Sequence, residues 1–170
     1  MVKHMPGHGR AFSDTHKELA RVSVPLSELV AHDFVPFKAL NDLPMAMTAH
    51  VIFDSLDPER PSTMSPTVIN TVIRDVIQFD GLVISDDISM KALSGDLGDI
   101  AEGITNAGCD IVLYCAGVME ELVKVAARVP VLDGKSRKRA DLAEVYAGDP
   151  DLSDEAELRE EFGQMFELMA

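Results

Sequence analysis

The residues best suited to chemistry crowd the amino terminus. Three of the five histidines, His4, His8 and His16, fall within the first sixteen positions, together with Lys3, Pro6, Gly7, Gly9 and Asp14. This stretch holds too little apolar material for a core element and a high density of groups that bind or move protons, so it reads as an active-site loop. In Asp14-Thr15-His16 the acid and the imidazole lie two residues apart, which in extended chain points both side chains the same way. The carboxylate can then bond one ring nitrogen, fix the tautomer and raise the imidazole pKa toward working pH. Taken alone, the pair reads more readily as a capping Asp beside a surface His, the commoner arrangement. His4, His8 and His16 match no standard short zinc spacing and have no cysteine nearby, so no metal is expected. Gly7 and Gly9 fit neither nucleotide-binding fingerprint, and no cofactor is expected either.

A second group stands at Asp86-Asp87, directly behind the apolar run Leu82-Val83-Ile84 and Ser85. A carboxylate there can serve as nucleophile, general base or metal ligand. Asp87 can also simply cap the piece that follows. His50 and Cys115 occupy comparable places beside other apolar runs.

The elements that must position these residues alternate in type. Met45–Phe53 is a continuous apolar run of strand length, as expected of a strand buried on both faces. Leu82–Ile84 and Asp110–Tyr114 read as two further buried strands. Ser65-Pro66 starts a helix with a clean stripe at Val68, Ile69, Val72, Ile73, Val76 and Ile77. A second helix carries Leu97, Ile100, Ala101 and Ile104 and stops at Gly108. Helices follow over Met119–Arg128 and Gly134–Tyr146. Earlier, Pro25 and Ser27 start a helical pattern that Pro36 interrupts. Strands alternating with crossover-length helices give an α/β fold with a parallel sheet. Functional groups of such folds lie at the carboxyl ends of the strands. That rule puts His50, Asp86, Asp87 and Cys115 on one rim. The opening loop joins them if it ends an earlier strand of which Met1-Val2 remain.

Composition narrows the partners. The chain has 170 residues, 46% of them hydrophobic, and a formal net charge of −14. That size buries one sizeable core. The charge argues against nucleic acid and anionic membranes, which need clustered Lys and Arg. Much of the acid sits between Asp149 and Ala170, where eight acids face one base, Arg159. The segment 152–169 carries a helical stripe of Leu158, Phe162, Met165, Phe166 and Met169. The expected division is therefore a catalytic unit over 1–148 and an acidic helical tail over 149–170. Cys109 and Cys115 are too far apart along an extended strand for a disulfide, which suits a reducing compartment. With no apolar leader at the amino terminus, a cytoplasmic protein is expected.

Three motifs together carry a resemblance. Lys3-His4-Met5-Pro6-Gly7-His8-Gly9 with Asp14-Thr15-His16, then Met47-Thr48-Ala49-His50, then Gly81–Met90 (with Ser85-Asp86-Asp87 inside it) resemble the β-N-acetylglucosaminidases of glycoside hydrolase family 3, in order and spacing, over roughly residues 1–147. The resemblance implies a catalytic (β/α)8 TIM barrel of about twice this length, of which this chain would supply strands six to eight and the loop after strand five. It implies a retaining hydrolase that removes terminal β-linked N-acetylglucosamine, typically from peptidoglycan fragments in cell-wall recycling. On the matching positions, Asp86 is the nucleophile and His16, held by Asp14, is the general acid/base. Lys3 and His4 bind sugar hydroxyls, and Met90 lies beside the site. His8 and His50 support the loop. The partner is a saccharide, with a second copy or a complementing half-barrel to complete the fold. An inactive fragment or interaction module of the family, and a metal-dependent hydrolase using His4, His8, His16 and Asp86, are the alternative readings.

Overall fold

The structure is a computed structural model, and it describes residues 1–11, 19–148 and 154–167. Asp14 and His16 lie outside the described residues. The main sheet is four-stranded and parallel, in the order β1 (Val2–Met5), β3 (Met45–Thr48), β5 (Leu82–Asp87), β6 (Ile111–Leu113). Each strand of this sheet pairs with the next one along the chain that belongs to it, so the sheet grows in one direction. Between them, β2 (Ala20–Val22) and β4 (Val51–Phe53) form a separate parallel pair in register Ala20 to Val51.

Three expectations are corrected. The first four residues after Met1 are not loop: Val2–Met5 is a strand paired with β3. The run Met45–Phe53 is not one strand but two, in different sheets. Ala49 N–H still donates to the Met5 carbonyl at 2.8 Å, after which the chain turns toward β2. Residues Ala46 to Phe53 are buried throughout, so the apolar run reported burial correctly and pairing not at all. Finally, β6 is only half-buried, because β5 is its one strand neighbour among the described residues.

The helices follow the sequence pattern closely. α1 (Leu26–Glu28) widens into a π-type turn, Leu29–Asp33. Pro36 stands in the first turn of α2 (Val35–Lys38), where its missing N–H leaves no bond unmade. A short 3₁₀ turn, Ser62–Met64, precedes the wide helix Thr67–Val76. Ser65 caps that helix by accepting from Val68 N–H at 3.2 Å. Val68, Ile69, Val72 and Ile73 are all buried in the core, each contributing about 1.5–3 kcal/mol by leaving water. Asp96 caps α3 (Leu97–Ala107), and Gly108, at φ 107°, ends it in the left-handed region. α4 (Met119–Arg128) buries only Val125, and α5 (Gly134–Ala147) buries no residue fully. α6 (Glu155–Glu167) leaves its stripe residues Leu158, Phe162 and Met165 exposed.

The amino-terminal end of the sheet is closed by charge. Asp110, just before β6, accepts from Arg74 Nη2 at 2.8 Å, Val83 N–H at 2.9 Å, Ser136 Oγ at 2.5 Å and Arg139 Nη1 at 3.1 Å. Arg139 also reaches the Asp80 carboxylate at 2.6 Å, which ties α5 to the loop before β5. Among the described residues no helix is long and apolar enough to cross a membrane.

Candidate active site

The opposite, carboxyl-terminal rim gathers His4, His50, Asp86, Asp87 and Cys115. β1 and β5 are separated by β3, so their backbones lie about 10 Å apart. The side chains of His4 and Asp86 nevertheless meet over β3: His4 Nε2 stands 3.6 Å from Asp86 Oδ2. This requires both to project from one face of the sheet. Asp86 Oδ1 accepts from the Asp87 N–H at 2.9 Å. Among the described residues the contacts leave Oδ2 at the rim with an imidazole nearby and no tight partner. Burial pushes the His4 pKa below its ordinary value, against the pull of the Asp86 charge and with help from Lys3 and His8. His4 is thus mainly neutral near pH 7, able to donate at one nitrogen and accept at the other. The His4 and His8 rings are 5.8 Å apart and tilted. Lys3, next to His4 in β1, is exposed.

The opening loop is anchored from below. Arg10 Nε donates to both Asp33 carboxylate oxygens, at 2.9 and 2.8 Å, and its Nη1 reaches Glu28 at 2.8 Å. These bonds hold residues 6–11 against α1 and its wide turn. Arg10 carries no motif signal, and only the fold identifies it.

Asp87 is oriented away from free chemistry. Its Oδ1 accepts from Ser89 N–H at 3.0 Å and Cys115 N–H at 2.9 Å, and its Oδ2 from Ser89 Oγ at 2.5 Å. Burial raises the Asp87 carboxyl pKa, but these bonds outweigh it and hold the group below the usual carboxylate range. The capping reading of Asp87 is therefore half right: it accepts from the turn behind it and also latches the end of β5 to the chain after β6. Met90 is half-buried in that turn, and its N–H donates to the Asp87 carbonyl at 3.2 Å. Cys115 is an exposed free thiol, whereas Cys109 is a buried one, pushed up to about 12 by burial.

His50 is buried at the hinge between β3 and β4. Its Nδ1 lies 2.8 Å from Thr63 Oγ1 and its Nε2 lies 3.1 Å from the Asp87 carbonyl. Thr63 Oγ1 is also 2.9 Å from Thr48 Oγ1. Thr48 and Thr63 were not legible as site residues. Thr63 sits in a stretch that reads as a polar loop, and its burial depends on the 3₁₀ turn folding under the rim. Among the described residues no group of three His, Cys, Asp or Glu side chains is placed to hold a metal ion.

The family model described as "Glycosyl hydrolase family 3 N terminal domain" matches residues 1–141. The chain belongs to glycosyl hydrolase family 3. A relative, the β-hexosaminidase of Methylococcus capsulatus, is 36% identical over 151 residues, which cover 79% of this chain and 45% of that protein. The family 3 β-N-acetylglucosaminidase of Paenibacillus sp. str. FPU-7 superposes with a TM-score of 0.75 at 27% identity, covering 91% of this chain and 33% of that one. NagZ from Neisseria gonorrhoeae, solved in complex with N-trifluoroacetyl-D-glucosamine, superposes with a TM-score of 0.71 at 30% identity, covering 82% and 40%. The chain thus spans less than half the length of the curated relatives it matches. In this family 3 chain the one-directional parallel sheet and the rim carrying Asp86 belong to an α/β, TIM-barrel-like domain.

Proposed function

We propose that this chain is the nucleophile-bearing half of a retaining β-N-acetylhexosaminidase, acting on terminal β-linked N-acetylglucosamine, with peptidoglycan fragments of cytoplasmic cell-wall recycling as its saccharides. The observation that carries the reading is the meeting of Asp86 and His4 at the carboxyl end of the sheet, at 3.6 Å, with Asp86 Oδ2 free of a tight partner among the described residues. A reacting carboxylate needs that freedom. In the proposed sequence, an Asp86 oxygen attacks the anomeric carbon as the glycosidic bond breaks. Protonated His16, held by Asp14, gives its proton to the departing oxygen. His16 then takes a proton from water, whose oxygen displaces Asp86 from the glycosyl ester and restores the original anomeric configuration. Neutral His4, with Lys3 beside it, offers hydrogen bonds to sugar hydroxyls. Met90 flanks the ring from the turn behind Asp86.

The same reading makes the four parallel strands the second half of a barrel, which a second copy or a complementing half-barrel completes. Residues 1–148 form that unit and 149–170 an appended acidic tail. The test is release of a chromogenic leaving group from an aryl N-acetylglucosaminide, by the chain alone and with the amino-terminal portion of the Methylococcus capsulatus protein supplied in trans. Asp86→Ala abolishes the release and His16→Ala slows it steeply. No turnover in either format overturns the reading.

A second reading, a catalytically silent interaction module, is favoured by the open flank beside β6. There Met119, Val123 and Val131 are 67%, 60% and 91% exposed. A compact monomer without affinity for N-acetylglucosamine, by light scattering and calorimetry, would support it over the first.

A further inference from the structure

His50 is 1% exposed and bonded at both ring nitrogens. The proton positions follow from its partners. The Asp87 carbonyl can only accept, so Nε2 carries a proton. In the uncharged ring Nδ1 is then bare and faces the Thr63 hydroxyl, whose one proton has both Nδ1 at 2.8 Å and the Ala49 carbonyl at 3.1 Å as acceptors and whose oxygen lies 2.9 Å from the Thr48 hydroxyl. The chain of bonds runs from β3 through the 3₁₀ turn to the end of β5. At that end the Asp87 carbonyl takes a second bond, from Met90 N–H, while the Asp87 carboxylate takes the N–H of Cys115 beyond β6. Asp87 is therefore gripped from both neighbouring strands, and Asp86 is the residue before it.

We propose that His50 is a positioning residue: by donating from Nε2 to the Asp87 carbonyl it fixes the end of β5, and with it the direction in which Asp86 presents its carboxylate. The proposal rests on the reading of Asp86 as nucleophile. Its physical basis is that a carbonyl held by a buried ring cannot rotate its peptide plane, and the flanking residue inherits that constraint. Burial favours the uncharged ring, and uncharged imidazole supplies the one donor and one acceptor the two partners require. The same grip orients the turn that carries Met90.

Two measurements on the full chain test it. In the first, long-range proton–nitrogen NMR with ¹⁵N-labelled histidine reads the tautomer of His50 directly. Protonated Nε2 with bare Nδ1 is expected; the opposite tautomer leaves Nε2 without a proton to donate and overturns the proposal. The second compares His50→Gln, whose amide nitrogen replaces Nε2, with His50→Asn, whose shorter side chain does not reach the carbonyl. His50→Asn lowers kcat about 100-fold with KM little changed, and His50→Gln restores most of it. Equal kcat for His50→Asn and the native chain overturns the proposal while leaving the nucleophile reading intact. If the native chain turns over no substrate, alone or with the complementing amino-terminal half, the nucleophile reading fails instead. The Asp86 and Asp87 backbone resonances then decide: displaced in His50→Asn and returned in His50→Gln supports the grip, and unmoved in both overturns it.

Discussion

The two ends of the sheet use carboxylates in opposite ways. At the amino-terminal end Asp110, with a side chain 1% exposed, is met by two guanidinium groups, a hydroxyl and a backbone N–H. At the carboxyl-terminal end Asp86, 17% exposed, has one backbone N–H and an imidazole at 3.6 Å. Both are acids beside a strand of one sheet, so strand position alone does not set their roles. The difference is saturation. A carboxylate whose lone pairs are all taken by fixed donors is a structural tie, and moving it exposes buried cations. One with an oxygen left over can accept a new bond. Asp87, next to Asp86, belongs to the first kind despite sitting on the reactive rim, because Ser89 and Cys115 fill its oxygens.

The comparison breaks most sharply by exchanging acid for amide at each end. Asp86→Asn removes the attacking oxygen and is expected to lower kcat by about 10⁴- to 10⁶-fold. It leaves stability within about 0.5 kcal/mol, read by urea unfolding. Asp110→Asn does the reverse. It strands Arg74 and Arg139, each with a side chain 14% exposed, and costs about 3–5 kcal/mol of stability. Burial already pushes the Arg74 pKa down, with the Asp110 charge opposing it, so loss of that charge leaves the guanidinium less favourably placed. Were Asp86→Asn to unfold the chain and Asp110→Asn to spare it, the contrast would be wrong.

A smaller effect probes the joint between the two ends. At Gly81, where the chain enters β5, an added Cβ would lie 2.6 Å from the Phe79 ring, 2.7 Å from the Pro44 carbonyl and 2.8 Å from the Leu43 carbonyl. Two of these neighbours are backbone, so Gly81→Ala is expected to cost about 1–3 kcal/mol, read as a lower urea midpoint.

The smallest effect is a dependence on pH. The His50 pKa lies below its ordinary value, chiefly through burial and against the pull of the Asp87 carbonyl and the Asp86 and Asp87 charges. As pH falls, the unfolded chain therefore takes up the proton first. The stability tied to His50 is full above the unfolded pKa of about 6.5 and is lost as pH drops below it. The urea midpoint should fall between about pH 7.5 and about pH 5.5, and fall less in His50→Gln. A residual slope remains from His4, whose shift has the same sign. An unchanged slope in His50→Gln would show that folding does not lower the His50 pKa.

Legibility from sequence followed the range of the interaction. Local signals held well: Ser65 and Gly108 mark helix ends that the structure places within a residue, because caps are satisfied by neighbours in the chain. The rule that parallel strands end on one rim put Asp86 and the opening stretch on the same side, and His4 and Asp86 do meet there at 3.6 Å. Pairing was not legible. Nothing in Met45–Phe53 signals that the ladder breaks at Ala49-His50, since both halves are equally buried and only the partner strand changes. Thr63 and Arg10 were invisible for the same reason: each acts on residues 13 to 46 or 18 to 23 positions away, through contacts that exist only after folding. The half-burial of β6 likewise depends on how many strands stand beside it.

The central claim, that Asp86 forms a bond to sugar, is tested most directly by trapping that bond. The chain, supplied with the complementing amino-terminal half, is incubated with a fluorinated N-acetylglucosaminyl fluoride that forms the glycosyl ester quickly and hydrolyses it slowly. Peptide mass spectrometry then locates the label. One glycosyl unit on Asp86, absent in Asp86→Asn, is the result expected. Label on another residue, or steady turnover of an aryl N-acetylglucosaminide by Asp86→Asn, would contradict it.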